Sequence, residues 1–374
     1  MRGERRHETD GVSAPAHGEQ RDETETPVAL TPRDPDMATV LDLPAEPVTN
    51  SFDEIPAIPR VKPTRALPPL IAEIREMQRQ RKTLQKSRIM ISNRLTANVA
   101  THDGYHASME DDERLKRFAE AKKVITAVQG DTDRETETPG ALTALIQAAT
   151  HGIDGFFTME KGIEKEMEKA AKKLPIAKWQ AHYNQRGFGL LSLAIIIGEA
   201  GDLSNYDNPG KLWKRMGCAP IESKGKLLMP STWRSRKKHN GGLTSAEWEE
   251  AGYCPRRRSV MYVIGESLLK GNGPREATEK HKALPAGPYA TRYATKKAEA
   301  IARNDPDWTP ACQTCKGSGK GKSGAECKKC SGRGYMVMRP HLHGMLLASK
   351  RLLRELWTEW RWVVDGIEPE PWTN

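Results

Sequence analysis

Apolar positions along the chain fall into blocks with helical spacing, separated by polar and turn-rich stretches. Ile71, Ile74, Met77, Leu84, Ile89, Ile91, Leu95 and Val99 recur at intervals that predict one long helix over about 71–100. Leu115, Phe118, Val124, Ile125 and Val128 predict a second helix, and the acidic stretch at 130–140, with its glycines and proline, reads as a surface loop. A third helix is read from Phe156 to Leu174, with Ile163, Met167, Ala170 and Leu174 on one face; paired with the first it would make an antiparallel arm. Near the end, Leu342, Met345, Leu346, Leu352, Leu353, Leu356, Trp357 and Trp360 form one apolar stripe, while Lys350, Arg351, Arg354 and Arg361 lie largely off it. Such a stripe of tryptophans is more often core than a base-stacking surface.

Before residue 70 the pattern is lost. That segment holds eleven of the 25 prolines and many acids, a composition that cannot offset its ordering entropy by burial, so 1–69 reads as a disordered tail. The apolar fraction of the whole chain, 37%, fits a protein only part of which packs a core. Lys and Arg outnumber Asp and Glu by 59 to 49, which suits a polyanionic partner as well as it suits an ordinary basic protein. Seven of those cations lie between Arg75 and Arg94, on the first helix, either as a solvated face or as a nucleic-acid contact. The longest apolar run, 190–197, is far short of the roughly 20 residues of a membrane helix, and the charged start MRGERRHETDG lacks a signal peptide's apolar centre. The expectation is a cytoplasmic, nucleoid-associated protein whose cysteines are ligands or free thiols.

Four of the six cysteines carry the strongest chemical signal. Cys312, Cys315, Cys327 and Cys330 lie in two copies of C-x-x-C-x-G-x-G, and four thiolates on two glycine-turned knuckles make a closed tetrahedral site for structural zinc. The repeat resembles the zinc-binding repeats of DnaJ-type chaperones, without a J domain or its H-P-D motif. It reads as a staple for a loop poor in apolar residues, with Lys316, Lys320, Lys322, Lys328, Lys329 and Arg333 available to phosphates. Cys218 reads as a small buried residue and Cys254 as an exposed thiol.

Between Asn184 and Pro220 the chain reads NQRGFGLLSLAIIIGEAGDLSNYDNPGKLWKRMGCAP. Its opening has the form of a helix-hairpin-helix element: Gly187 and Gly189 permit a tight hairpin, and the amides of the following helix can hold a phosphate, although any loop-to-helix junction packed in a core gives the same pattern. The order of glycine hairpin, apolar helix, Gly198-Glu199-Ala200-Gly201-Asp202-Leu203, Asn208-Pro209 and Gly217-Cys218-Ala219-Pro220 resembles the C-terminal domain of the insertion-sequence 110/116/902 family of transposases. Arg256-Arg257-Arg258 with the apolar run after them, 288–303 and 339–361 look like that family's later helices, and 71–100 with 156–174 is similar to its coiled-coil arm.

The resemblance implies a mainly α fold: a helical arm over 70–180, a helix-hairpin-helix-containing domain over 181–305 completed by a terminal helix over 339–374, and the zinc ribbon inserted at 306–338. Strand would be confined to the knuckles and, at most, 220–235. DNA contacts would fall to Arg186, Gly187, Gly189, Lys211, Lys214, Arg215, Arg256, Arg257 and Arg258. A guide-like RNA and a homo-oligomer formed through the arm are further implications, as is a nuclease subunit supplied in trans, because the strand-rich RuvC-like domain with which the family begins is not read here. The one near match to its opening strand, Gly152-Ile153-Asp154-Gly155, follows the basic helix and runs into a helical pattern. The family's serine nucleophile would correspond to Ser223, with Ser231 and Ser235 as alternatives and Lys224, Arg234 and Arg236 near enough in sequence to stabilise developing charge. Serines in basic loops are mostly solvated or locally bonded. Two functions follow: DNA binding for transposition or recombination, or a non-enzymatic nucleic-acid-binding remnant. An adaptor working through protein contacts is a third.

Overall fold

The computed structural model describes residues 67–130, 140–182, 186–223, 226–228, 248, 250, 252–277, 282–303, 305, 308–321 and 323–368. The tail read over 1–69, apart from 67–69, lies outside the described residues, as do the acidic loop at 131–139, Lys224, Ser231, Arg234, Ser235, Arg236 and Lys322. The described chain is mainly helical, with nine α-helices and a single two-stranded hairpin.

Helix α1 (Leu67–His102) begins with Pro68 and Pro69, whose missing amide hydrogens are harmless in a first turn, and runs without an internal glycine or proline. It lies antiparallel to α3 (Gly140–Lys172). At one end Ile71 and Ile74 meet Met167, Ala170 and Leu174; at the other, Leu95 and Val99 meet Leu142 and Ile146, with Ala121 and Ile125 of α2 (Asp111–Gly130) closing a small separate core. Tyr105 packs edge-on to Phe118 there, with ring centroids 5.0 Å apart. Helix α3 starts well before Phe156 and carries Gly152 and Gly155 in its interior. Each glycine costs about 1 kcal/mol relative to alanine, and burial of Leu142 and Ile146 against α1 and α2 offsets that. The same burial makes 152–155 helical. Leu115, read on the apolar face of the second helix, is 68% exposed instead.

Between its two apolar ends the arm has a polar seam. Arg81 pairs with Glu164 at 2.7 Å and Glu160 at 3.5 Å, Gln85 donates to Glu160, and Arg88 approaches Glu160 at 3.3 Å. Both carboxylates are buried. Three of the seven cations read on this helix, Arg81, Lys82 and Arg88, are therefore turned against acids of neighbouring helices, while Arg75, Arg79, Lys86 and Arg94 remain exposed.

The remaining helices pack around α5 (Leu190–Ala200) and α9 (Met338–Trp360). Short α4 (Ala177–His182) precedes the hairpin at 186–189; a 3-10 turn (Leu203–Asn205) and α6 (Pro209–Arg215) follow α5. Strands β1 (Ile221–Ser223) and β2 (Lys226–Leu228) pair antiparallel, with Ser223 opposite Lys226. Helices α7 (Pro255–Asn272) and α8 (Pro288–Ala302) then lead to the cysteine module, and a π-turn (Arg361–Asp365) ends α9. Leu193, Ile196 and Ile197 of α5 share one core with Leu352, Leu353, Leu356 and Trp360 of α9, so the terminal stripe is indeed buried. That core also takes in the base of α1 and the end of α3.

Candidate metal centre and nucleic-acid interface

The four module cysteines are buried and their sulfurs all lie within 4.8 Å of one another, so they are able to bind a metal ion. Cys312 Sγ is 4.0 Å from Cys327 Sγ, and Cys315 Sγ is 3.7 Å from Cys330 Sγ. Four thiolates held about 2.3 Å from one metal ion stand about 3.8 Å apart, close to these two separations. The two knuckles repeat each other residue by residue. Cys312 N donates to Gly334 O and Cys327 N to Gly319 O, each at 2.8 Å, and Lys316 and Ser331 take matching positive φ values of 50° and 48°. Gly319 and Gly334 are needed where the knuckles cross: a Cβ on Gly319 would stand 2.2 Å from Gly332 O, and one on Gly334 2.4 Å from Gly317 O. Backbone amides of Cys315 and Thr314 aimed at Cys312 pull its thiol down to about 7, whereas burial pushes the Cys330 thiol up to about 11. Little apolar surface supports the module; among the described residues only Met336 packs on the cysteines. Trp308 at its base stacks edge-on against His343 of α9, with centroids 4.9 Å apart.

Beneath the module, Tyr293 Oη meets His341 Nδ1 at 2.6 Å. Burial pushes the tyrosine up to about 12 and holds the histidine below its ordinary value, with Lys297 adding to the effect, so this is a neutral core pair.

The glycine hairpin is built against α7. Gly187 has φ +78°, and a Cβ there would lie 2.1 Å from Ser267 O; Gly271 on α7 faces the Gly187 backbone as closely. Asn272, buried, donates to Arg186 O and accepts from Gly287 N through its own carbonyl, and Arg186 Nη2 donates to Pro285 O at 2.7 Å. Phe188 packs edge-on to Trp179. Gly189 by contrast is exposed, and α5 begins there without a side-chain cap. The hairpin thus joins α4, α5 and α7, with Gly189 its exposed position among the described residues.

Each remaining part of the 184–220 motif has a structural task. Asp202 caps the 3-10 turn through Ser204 N and accepts from Trp360 Nε1 at 3.1 Å, Asn208 caps α6 through Lys211 N, and Cys218 is buried with its thiol pushed up to about 11. Glu199 is the exception in kind. It ends an otherwise apolar helix, is 3% exposed, and gathers cations from two other helices. Its Oε1 accepts from Lys82 at 2.6 Å and Gln78 at 2.9 Å; Oε2 faces Arg257 Nε at 3.4 Å and Arg256 Nη2 at 3.5 Å without a hydrogen bond. Burial opposes its ionisation, and the bonds from Lys82 and Gln78 overcome it, holding the carboxyl below its ordinary value. Lys82 is itself pulled down by burial and then by Arg256 and Arg257, against the pull of Glu199.

The structure therefore divides the residues read for DNA contact. Arg256 and Arg257 stand at Glu199, Arg258 donates to Gly217 O at 3.0 Å just beyond α6, and Arg215 lies with Arg257 and Arg75 beside Tyr206. Lys211 pairs with Asp207 and Lys214 is exposed on the same short helix. Arg186, Gly187 and Gly189 sit at the far end of α7, about 22 Å of helix axis away. Ser223 ends β1, and its side chain lies outside the described residues, as do the two alternative serines. Cys254 is half-buried at the cap of α7. Sequence reasoning missed Glu199, Lys82 and Gln78; the available signal was a lone carboxylate at the end of an apolar helix. Among the described residues, the cysteines are the only group of three or more potential metal ligands that lie together, and no helix is long and apolar enough to cross a membrane. No protein-family profile matches the chain, and neither does any curated protein or solved structure.

Proposed function

We propose that this chain is a nucleic-acid-binding protein of a mobile element, built like the DNA-handling domain of a transposase and stapled by a structural zinc. The observation that supports it most is the convergence of Lys82, Arg256 and Arg257 on one buried carboxylate, with Arg75 and Arg215 beside them: positive charge is concentrated at the meeting of arm and domain well beyond what the fold neutralises. Two further cationic regions extend it, Lys214 on α6 and the lysines around the knuckles. The motif at 184–220 gives the reading its transposase character, and DNA is its partner. Zinc, when bound, supplies a closed crosslink between the knuckles; Cys312, Cys315, Cys327 and Cys330 hold it, and the glycines let their backbones cross.

Binding without strand cleavage is favoured over catalysis, since the described part of the chain assembles no set of carboxylates for two-metal chemistry. The test is a titration of zinc-loaded protein with DNA and RNA across a salt series, followed by a denaturing gel. Affinity that falls steeply with salt and leaves no protein–DNA adduct is the expected result. An adduct abolished by Ser223→Ala would move the protein to the serine recombinases, and no binding at low salt to either polymer would overturn the reading.

A further inference from the structure

We propose that the space bounded by Arg75 and Lys82 of α1, Arg215 at the end of α6, and Arg256 and Arg257 of α7 is a pocket for a single phosphate group of a nucleic-acid strand, with Glu199 as the fixed counter-charge that organises it. The inference rests on the nucleic-acid reading above and gives it an address. Three observations carry it. Charge is unbalanced: three cations face the one carboxylate, and among the described residues no second carboxylate lies within 4 Å of Lys82, Arg256 or Arg257. Donor capacity is left over: Arg215, beside the Tyr206 hydroxyl, keeps a buried Nε without a hydrogen-bond partner, and Arg257 Nε faces Glu199 Oε2 at 3.4 Å without a hydrogen bond. Helix α7 opens with three consecutive arginines and no acid in its first turn, placing cations at the positive end of the helix dipole, an arrangement that an anion relieves.

Glu199 explains how such a cluster persists in the free protein. It neutralises one charge and fixes the heads of Lys82, Arg256 and Arg257, so that a phosphate meets donors already in place. Because Arg75 and Lys82 come from the arm and the arginines from the domain, one phosphate would bridge the two. Arg256, with half its side chain exposed, and Arg75 are the residues through which a strand reaches the pocket.

The test uses the full chain and fluorescence anisotropy with a labelled DNA strand, comparing the wild type with Arg75→Ala and Arg256→Ala, both exposed positions. Each variant is expected to weaken binding roughly five- to tenfold and to lower the salt slope by about one, whereas Lys123→Ala on α2, whose partner is Glu120, leaves both nearly unchanged. Wild-type binding that neither arginine variant alters would overturn the pocket and leave the nucleic-acid reading standing. If the wild type binds no nucleic acid, titration with inorganic phosphate followed by thermal melting separates the two: stabilisation lost in Arg256→Ala supports a phosphate pocket and removes the nucleic acid, and no stabilisation removes both.

Discussion

The cysteine module and the Glu199 junction both bury polar, ionisable groups, and they do so by opposite routes. The module is closed within a short stretch of sequence: its ligands are the cysteines of a repeat, its turns are the glycines of the same repeat, and its backbone bonds run from one knuckle to the other. The junction is assembled from Lys82, Glu199 and Arg257, which come from three helices separated by most of the domain. In the first, local chemistry sets the geometry, and a cation, when bound, would supply the energy. In the second, packing of apolar faces sets the geometry, and the charges are tolerated because the helices have nowhere else to put them. A buried ionisable group is secure in either case only when its partners are as well fixed as it is.

The largest effect expected is on the module. Structural zinc in small thiolate sites contributes on the order of 10 kcal/mol of apparent folding free energy, and the module has almost no apolar core to replace it. A strong chelator should release one metal ion per chain and expose the amides of 311–335 to hydrogen exchange, while the core around α5 and α9 keeps its protection. Unchanged exchange in the module after metal release would show that it stands without the ion.

The junction should respond to substitution less, and globally. Glu199→Ala leaves Lys82, Arg256 and Arg257 crowded without a counter-charge, and a loss of about 3–5 kcal/mol in urea unfolding is expected; Glu199→Gln keeps the contact to Gln78 and should lose less. A loss below about 1 kcal/mol for both would mean that solvent reaches the cluster and screens it.

The smallest effect is the junction's pH dependence. Glu199 and Glu164 both sit below the ordinary carboxylate value of 4.5, because hydrogen bonds from cationic and amide partners overcome the burial that opposes their ionisation. Their contribution is therefore complete above the unfolded value and is lost as pH falls through the lowered folded values. Stability of the wild type should decline below about pH 4.5, and the decline should be shallower in Glu199→Gln. An identical decline would place the titrating groups elsewhere.

How far each region was legible in the sequence follows the same division. The metal ligands could be read directly, because the spacing of Cys312, Cys315, Cys327 and Cys330 and the glycines after them encode the turn and the ligand set together. So could the existence of α1, α2 and α9, whose apolar periodicity is long; strand is expected only in the knuckles and, at most, 220–235, and the hairpin at 221–228 falls within that stretch, whereas the knuckles carry isolated bridges. The start of α3 could not: Gly152 and Gly155 weigh against helix locally, and only contact of Leu142 and Ile146 with α1 and α2 outweighs them. Nor could the fate of the basic residues on α1. Periodicity says which residues share a face, but whether Arg81, Lys82 and Arg88 meet water or acid depends on what lies opposite, and Glu160, Glu164 and Glu199 are placed there by helices that begin far along the chain. The sequence by itself determined the helices, the cysteine centre and the excess of positive charge, since these depend on neighbours in the chain. Tertiary structure alone decided which charges are buried together and which remain exposed, because a long-range ion pair is specified by the packing of apolar faces and not by the ions themselves.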